Sequence, residues 1–331
     1  MAIKSVGVIG GGAWGTALAQ TMALAGRDVV LWAYEHDTVR EINEHHINRV
    51  FLPGVTIEKN VIATGKLAEV AACDVILLVP PAQHLRRIAS DLAGHIPEGR
   101  PVVVCAKGIE QATGRLMGEV VAEALPRALH ADLSGPSFAA DVARGLPAAV
   151  TLACSNEAAG RELADGLGYR NFRIYWTSDT IGVELGGAVK NVLAIAAGIV
   201  DGKALGASAH AALVTRGFAE LRRLGESLGA RPETLMGLSG LGDLILTCSS
   251  PQSRNMSLGR ALGQGRTIKE VMGERRAVTE GVFTAAAVMR IADERNIDLP
   301  ICAAVHGIVE DRLSVDDAIE GLMTRPQRAE D

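Results

Sequence analysis

Short apolar runs alternate with stretches of helical periodicity along the first half of the chain. Runs of this kind, bounded by turn residues and separated by helical stretches, are typical of parallel strands in βαβ units. The pattern therefore predicts an α/β fold built on a doubly wound parallel sheet. The predicted strands cover residues 3–9, 28–32, 74–79, 101–106, 131–133, 148–153 and 172–176.

The strand pattern stops at about residue 181, and the remaining segments show helical periodicity. Thr267 with Glu270, and Ser314 with Asp317, have the spacing of helix-capping pairs. Pro300 suits the first turn of a helix. We therefore predict two domains, a sheet-containing domain over residues 1–180 and an all-helical domain over residues 181–331. The predicted helices cover residues 180–200, 207–228, 255–262, 267–272, 279–295 and 300–312.

A glycine-rich turn joins the first predicted strand to the first helical stretch. Gly10, Gly12 and Gly15 fill a G-x-G-x-x-G pattern there. Gly10 would allow the tight turn, Gly12 would let the backbone approach a pyrophosphate, and Gly15 would let the helix pack close to the strand. The helix N-terminus adds free N–H groups and a partial positive charge. An ordinary glycine-rich turn is the alternative, but the order strand, turn, helix favours a Rossmann-type dinucleotide-binding domain.

Composition narrows the classes of function. The net charge is −5 and no basic run is present, so we expect no nucleic-acid partner. The five cysteines are far apart and lack C-x-x-C spacing, which argues against a disulfide framework, and we predict no metal site. Residues 191–200 are too few to cross a bilayer, which takes ~20 apolar residues. Because the chain begins directly with a strand and shows no signal peptide, we expect a cytoplasmic protein without stable membrane insertion. The apolar helical half is compatible with a homodimer.

Polar segments follow directly after several predicted strands. In a doubly wound sheet, ligands bind outside the carboxyl ends of the strands. We therefore expect these segments to converge on one edge of the sheet. Lys107, Gly135 and Ser137 lie in them, and their amine and loop N–H groups could bind an anion or a substrate hydroxyl. The segments are GGGAWG (10–15), VPPAQH (79–84), AKGIE (106–110) and SGPSFA (134–139).

Lys190 is a cation in a helical run of small and apolar residues. Its helical neighbours Gly186, Gly187 and Ala194 would leave a hollow beside it. Partial burial would lower the pKa of this lysine, which suits a group that exchanges a proton near neutral pH. The alternative is a lysine that extends to the surface from the edge of a helix, and composition alone favours neither interpretation.

Asp243 enters an apolar run directly after Gly240 and Gly242. A carboxylate in such a place needs a partner, and Lys190 is one candidate. Asp243 could equally be the N-cap of a helix, because Asp is common at that position. The two interpretations are compatible.

Further along, Ser253 has the character of an N-cap, with Arg254 and Asn255 in the first turn of the helix. A helix N-terminus together with an arginine is a good site for a phosphate group. A solvated arginine on a loop is the alternative, and the local sequence by itself slightly favours it.

Taken together, these motifs resemble those of bacterial NAD(P)-dependent glycerol-3-phosphate dehydrogenases. The matching segments run in order across nearly the whole chain, and GGAVKNV and QSRN are more specific than the glycine fingerprint. The family fold, a dinucleotide-binding domain followed by a helical domain, agrees with the pattern above. The segments are VIGGGAWGTALA (8–19), AKGIE (106–110), SGPSFA (134–139), GGAVKNV (186–192), GLGDL (240–244), QSRN (252–255) and TEG (279–281).

The resemblance implies a role for each matched residue. Lys190 would be the catalytic proton acceptor, and Lys107 would contact both substrate and cofactor. The cofactor would be NAD(P), and the substrate a small phosphate ester. The implied substrate-binding residues are Lys107, Gly135, Ser137, Asp243, Ser253, Arg254 and Asn255. The implied cofactor-binding residues are Gly10, Gly12, Ala13, Trp14, Gly15, Tyr34, Lys107, Ala139, Arg254, Val278 and Glu280.

The implied reaction interconverts sn-glycerol 3-phosphate and dihydroxyacetone phosphate, and would supply glycerol 3-phosphate for glycerophospholipid synthesis. One alternative is a related 3-hydroxyacid or 6-phosphogluconate-type dehydrogenase, although those enzymes lack the QSRN and GLGDL context. Another is a non-catalytic sensor of nicotinamide nucleotides, against which the joint presence of Lys107, Lys190, Asp243 and Arg254 argues.

The choice between NADH and NADPH stays open at this point. Glu35 lies about twenty positions beyond the glycines, where an acidic residue usually binds the ribose hydroxyls of NAD. Relatives that favour NADPH often carry a basic residue near position 34. This chain has Tyr34 there, with His36 and Arg40 nearby.

Overall fold

The computed structural model describes residues 3–274 and 278–326. In these residues the strands form one eight-stranded sheet with the order β3-β2-β1-β4-β5-β6-β7-β8. The strands are β1 (Ser5–Ile9), β2 (Asp28–Trp32), β3 (Val61–Thr64), β4 (Val75–Leu78), β5 (Pro101–Val104), β6 (Leu129–Ser134), β7 (Ala148–Ala153) and β8 (Phe172–Thr177).

Strands β1 to β6 are parallel, so their carboxyl ends share one edge of the sheet. The chain order reverses between β1 and β4, which is where doubly wound sheets bind their ligands. Strand β7 pairs antiparallel with β6, and β8 is parallel to β7, so the last two strands run in the opposite direction. Strand β3 was not among the predicted strands.

The prediction of a doubly wound sheet followed by helices is confirmed. The sheet ends at Thr177 and the next helix begins at Thr180, while the domain limits 1–180 and 181–331 stay a prediction. Helices beside the sheet are α1 (Ala13–Leu24), α2 (His36–His45), α3 (Leu67–Ala71), α4 (Leu85–Leu92), α5 (Met117–Ala124), α6 (Ala139–Ala143) and α7 (Glu157–Leu167). The later helices are α8 (Thr180–Gly202), α9 (Ala207–Ser227), α10 (Pro232–Leu235), α11 (Asp243–Cys248), α12 (Arg254–Gly263), α13 (Ile268–Gly273), α14 (Glu280–Arg295), α15 (Pro300–Val309) and α16 (Val315–Met323).

Side-chain caps start several of these helices where the sequence predicts them. The hydroxyl of Thr267 accepts a hydrogen bond from the backbone N–H of Glu270, and the Glu270 carboxylate accepts one from Thr267 in return. The hydroxyl of Ser314 caps α16 by accepting a hydrogen bond from the Asp317 backbone, and it donates one to the Asp317 carboxylate. Asp179, which was not predicted, caps α8 and also accepts a hydrogen bond from the Arg231 backbone at 2.8 Å. This second bond ties the start of α8 to the segment that leads into α10.

Helix α8 is the central helix of the second half of the chain. Of the described residues, only this helix has the length and mean hydropathy, 1.6, that a membrane span would need. However, 94% of the apolar window lies buried inside the protein, packed by α9, α11, α12 and α14. The apolar stretch is thus longer than the segment 191–200 singled out from the sequence, and its core position accounts for the composition.

Glycines bring α8 and α12 unusually close together. A Cβ on Gly198 would overlap the carbonyl oxygen of Met256, and one on Gly259 would overlap the carbonyl oxygen of Ile195. Only glycine at both positions lets the two backbones touch in this way. The contact fixes the start of α12 beside the middle of α8, which is where the polar side chains of the second half gather.

Candidate functional site

The three glycines of the opening turn have different surroundings. Gly10 has a φ of 129°, and a Cβ there would lie 2.7 Å from the carbonyl oxygen of Val79. A Cβ on Gly15 would overlap the carbonyl oxygen of Gly10, so this glycine lets α1 sit against the strand. A Cβ on Gly12 would meet no atom within 4 Å. The backbone at Gly12 therefore faces open space at the N-terminus of α1, which suits a pyrophosphate.

Two buried polar atoms without partners lie close to this turn. One is the indole N–H of Trp14, in the first turn of α1. The other is Oε2 of Glu280, whose Oε1 accepts a hydrogen bond of 3.0 Å from the backbone of Ala82, just beyond β4. Both atoms lack a hydrogen bond to residues 3–274 and 278–326. Open backbone and unused polar atoms at the switch point of the sheet fit a dinucleotide.

The remaining predicted cofactor residues surround the same region. Ala139 is the first residue of α6, which packs against α1. Val278 is half-buried directly before α14, the helix that presents Glu280. Tyr34 follows β2 and is 71% exposed. The structure thus places the predicted cofactor residues along the carboxyl edge of the sheet and the start of α14.

A carboxylate between two amines is the central feature of the site. Asp243 Oδ1 accepts a hydrogen bond from Lys190 Nζ at 2.5 Å, and Oδ2 accepts one from Lys107 Nζ at 2.8 Å. Lys107 also donates to the carbonyl oxygen of Gly135 at 2.9 Å, and so does the hydroxyl of Ser137. Residues from the ends of β5 and β6 therefore meet residues from α8 and α11, as the sequence predicts for most of them.

Burial changes the protonation of Lys190. The side chain is only 9% exposed, and loss of water lowers the pKa of its ammonium group from 10.5 to about 8. The negative charge of Asp243 raises this pKa in part, and the positive charge of Lys107 lowers it further. Lys190 is therefore buried in the cluster and does not extend to the surface, and it can exchange a proton near neutral pH.

Two details of the predicted cluster are wrong. The glycines beside Lys190 do not leave a hollow: a Cβ on Gly186 would overlap the Ser239 backbone, and one on Gly187 would overlap the Ser134 hydroxyl. Asp243 is not an N-cap either. A π-helical turn, residues 238–242, precedes it, and Asp243 is the first residue of α11, without a side-chain capping bond. Its carboxylate is used entirely on the lysines and Thr247.

Two polar residues of the site were missed from the sequence. Thr247, one turn after Asp243 on α11, accepts a hydrogen bond from Lys190 Nζ at 3.1 Å. Asn191, the neighbour of Lys190, accepts one from the Asn255 side chain at 2.9 Å, and Asn255 accepts one in turn from the Gly281 backbone at 3.0 Å. The spacing of four residues from Asp243 could have indicated Thr247. The asparagine bonds link α8, α12 and α14 around the cleft.

The start of α12 supplies the remaining predicted residues. Ser253 is the N-cap, as predicted, and its hydroxyl accepts a hydrogen bond from the Met256 backbone. Arg254 is accessible to solvent but stands in a crowded cleft, and the partial loss of water lowers the pKa of its guanidinium, against the opposing charge of Glu280. A cation at a helix N-terminus is a combination that could bind a phosphate.

A glycine turn with room for a dinucleotide, followed in the same chain by a buried lysine of lowered pKa, is typical of nicotinamide-dependent dehydrogenases. The comparison with protein families agrees. The chain belongs to the NAD-dependent glycerol-3-phosphate dehydrogenase family: the model of its N-terminal domain matches residues 5–160, and that of its C-terminal domain matches residues 179–320.

Individual relatives match the chain over its whole length. It is 59% identical over 330 residues to the glycerol-3-phosphate dehydrogenase [NAD(P)+] of Parvibaculum lavamentivorans, covering 100% of this chain and 99% of the relative. The enzyme of the same name from Maricaulis maris is 56% identical over 323 residues. The match covers 98% of this chain and 97% of the relative. The crystal structure of glycerol-3-phosphate dehydrogenase from Coxiella burnetii superimposes with a TM-score of 0.93 at 38% identity, covering 98% of this chain and 99% of that one.

The predicted family, the predicted class of oxidoreductase and its dependence on NAD(P) are thus confirmed, and the related dehydrogenases and the sensor lose their support. Over residues 3–274 and 278–326, no group of three or more His, Cys, Asp or Glu side chains could hold a metal ion. The five cysteines are buried and free.

Proposed function

We propose that this chain interconverts sn-glycerol 3-phosphate and dihydroxyacetone phosphate with NAD(P), as the names of its relatives state for them. The observation that carries the proposal is the cluster of Lys190, Asp243 and Lys107, which is buried where the helices meet the carboxyl ends of β5 and β6. A cationic, partly dehydrated site of this kind suits an anionic substrate that gains and loses a proton.

Lys190 is the proton-exchanging group in this proposal. In the reduction of dihydroxyacetone phosphate, its ammonium form donates a proton to the oxygen on C2. In the oxidation of glycerol 3-phosphate, its neutral amine accepts that proton. A pKa of about 8 allows both forms near neutral pH, so one residue serves both directions.

Lys107 and Asp243 set the electrostatics around that oxygen. Lys107 adds positive potential where negative charge develops on the C2 oxygen. Asp243 holds both amines at fixed positions, at 2.5 Å and 2.8 Å, and offsets part of their mutual repulsion. Because the Gly135 carbonyl and Thr247 hydroxyl also hold the amines, little reorganisation is needed during the reaction.

The phosphate of the substrate binds at the start of α12. Arg254 contributes a guanidinium that can form paired hydrogen bonds with phosphate oxygens. The first backbone N–H groups of α12 and the helix dipole add to the attraction. Ser253 and Asn255 support this end of the helix through the bonds of their side chains to Met256, Asn191 and Gly281.

The glycine turn, Trp14 and Glu280 would hold the cofactor. When bound, the nicotinamide supplies the hydride to C2 of dihydroxyacetone phosphate or removes it from C2 of glycerol 3-phosphate. Glu280 joins α14 to the loop after β4 through Ala82, and this bond keeps the cofactor side of the cleft next to the helices. We extend the proposal to a cytoplasmic enzyme that supplies glycerophospholipid synthesis, with a domain limit near residue 180 and with a homodimer as its assembly.

A direct assay tests the activity. The purified protein is mixed with dihydroxyacetone phosphate and either NADH or NADPH, and loss of absorbance at the reduced nicotinamide band is followed. Turnover with the phosphate ester, and none with unphosphorylated dihydroxyacetone at the same concentration, is the expected result. Tight binding of the cofactor without turnover would instead support a sensor and overturn the proposal.

A further inference from the structure

A short hairpin follows Lys107 in the chain, and the reaction proposed above does not use it directly. An antiparallel bridge joins Ile109 to Leu116, and the backbone N–H of Glu110 donates to the carbonyl oxygen of Arg115 at 2.9 Å. Glu110, the last residue of the AKGIE segment, comes only three residues after Lys107. Because the amine of Lys107 belongs to the buried cluster of the site, the position of this hairpin determines where the Lys107 side chain starts.

The carboxylate of Glu110 is held by two side chains. It is 11% exposed and accepts two parallel hydrogen bonds from the Arg86 guanidinium, Nε to Oε1 at 2.8 Å and Nη2 to Oε2 at 2.9 Å. The Thr113 hydroxyl donates a third bond to Oε2 at 2.5 Å. The bonds from Arg86, more than any other cause, lower the pKa of the Glu110 carboxyl, so the pair is ionised at neutral pH. A bidentate pair of this kind fixes orientation as well as distance.

Gln83 holds the same hairpin by its backbone. The side-chain amide donates to the carbonyl oxygen of Ile109 at 2.9 Å and accepts from the backbone N–H of Gln111 at 2.9 Å. These two bonds lie on either side of Glu110. Gln83 belongs to the VPPAQH segment after β4, and Arg86 lies at the start of α4, which follows it. The chain after β4 therefore holds three consecutive residues of the chain after β5.

The backbone between Lys107 and the hairpin is packed tightly against the same chain segment. A Cβ on Gly108 would lie 2.6 Å from the Cβ of Ala82 and 3.5 Å from Oε2 of Glu280. Ala82 is itself fixed, because its backbone N–H donates to Oε1 of Glu280. Lys107 is thus held at both ends, its backbone by the hairpin and its amine by the carboxylate of Asp243.

We propose that Glu110, through its ion pair with Arg86, is a positioning residue for Lys107, an inference that rests on the proposed dehydrogenase activity. Neither side chain of the pair contacts the substrate. The pair fixes the backbone from which the Lys107 side chain extends to the cluster. A lysine has a flexible four-carbon stem, and a misplacement of about 1 Å in a catalytic site can cost a large part of the rate. Support for the backbone of Lys107 therefore contributes to turnover.

Steady-state kinetics on matched variants tests this role. Glu110→Gln keeps the shape of the side chain but removes its charge, and it should lower kcat for the reduction of dihydroxyacetone phosphate about tenfold. Arg86→Met should lose about as much, and the double variant no more than either single variant, because each substitution breaks the same pair. Asp91→Asn is the control. It removes the carboxylate partner of Arg87, the next residue of α4, in an exposed pair of 3.5 Å, and should keep kcat within about twofold.

The titration of Lys190 provides a readout that a purely structural role would not change. Burial is the main cause of its lowered pKa. The titratable groups around its amine are Asp243, which raises this pKa, Lys107, which lowers it, and Cys248, whose thiol is kept neutral by burial. If the Lys107 amine moves away, its charge no longer lowers the pKa of Lys190, so that pKa should rise. Glu110→Gln should raise it by about half a unit, in the same direction as Lys107→Met.

A measurement without turnover separates this inference from the proposed activity. The Lys190 titration is followed by NMR on protein isotope-labelled at the lysine ε-carbons, and the signal is identified by its loss in Lys190→Met. A higher Lys190 pKa in Glu110→Gln, but not in Asp91→Asn, is the expected result. An unchanged Lys190 pKa in Glu110→Gln would overturn the positioning role even if activity fell, because Lys107 would not have moved. Absence of turnover in the unchanged protein would refute the dehydrogenase activity alone, since the NMR titration still decides whether Glu110 positions Lys107.

Discussion

Replacing Lys190 by methionine should separate activity from stability. The environment lowers the pKa of this lysine from 10.5 to about 8, which means that the folded protein disfavours its charged form by about 3 kcal/mol relative to water. Methionine fills a similar volume without a charge. Asp243 does not become an orphan in this variant, because Lys107 stays 2.8 Å away. The free energy of unfolding should therefore be unchanged or higher.

Activity should respond in the opposite direction. Without the proton donor and acceptor, Lys190→Met should lose a factor of about 10²–10⁴ in kcat, the usual contribution of general acid–base catalysis. The affinity for NADH should change little, because the glycine turn and Glu280 are untouched. Initial rates with dihydroxyacetone phosphate, chemical unfolding and a fluorescence titration with NADH measure the three quantities on one preparation.

The control variant carries the same substitution at another lysine of the same helix. Lys203, at the end of α8, forms an ion pair with Asp316 far from the cluster. Lys203→Met should keep kcat within about twofold of the unchanged enzyme. Turnover of Lys190→Met within tenfold of the unchanged enzyme would refute the role of this amine. Loss of NADH binding together with a lower free energy of unfolding would show that the variant is misfolded and that the structural argument is wrong.

Other changes should follow from the same structure. The rate of reduction should be constant at neutral pH and fall above about pH 8, where Lys190 loses its proton, whereas the rate of oxidation should rise toward that pH. Profiles of rate against pH, measured in both directions, check this expectation, and profiles of the same shape in the two directions would contradict it. Gly12→Ala should raise KM for NADH at least about tenfold with an unchanged Tm, because the added Cβ would enter open space that the cofactor needs. Gly15→Ala should instead lower Tm sharply, because its Cβ would overlap the backbone of the turn. Gly259→Ala should lower the free energy of unfolding by about 3 kcal/mol, because its Cβ would force α12 away from α8. Gly321→Ala in α16, where a Cβ meets no atom within 4 Å, should raise the free energy of unfolding by up to about 1 kcal/mol. Equal effects of the two substitutions on chemical unfolding would contradict the packing argument.

The central strands of the sheet could be predicted because local pattern determines them. Strands buried on both faces give continuous apolar runs, and the glycine turn marks the first βα unit. Strand β3 escaped prediction since it lies at the edge of the sheet, where Ile62 is 56% exposed, so it is not buried on both faces as β4 and β5 are. The reversed direction of β7 and β8 could not be predicted either. Direction depends on how the chain crosses from one strand to the next, and the pattern within a strand is the same both ways.

Most of the polar residues that the structure gathers around Lys190 could be singled out from the sequence, but Thr247, Asn191 and the geometry of the cluster could not. Whether Lys190 lies at the surface or in a cleft depends on Asp243, which comes 53 residues later in the chain and is placed by the π-helical turn before it. Glycines show the same limit. From the sequence, Gly12 and Gly186 are both expected to leave space for a ligand. In the structure Gly12 does face open space, but Gly186 is in contact with the Ser239 backbone. The space that a glycine leaves can be filled by a ligand or by another part of the protein, and only the tertiary packing decides which. For this reason the glycines near Lys190 position the amine by close packing and leave no space beside it for a ligand.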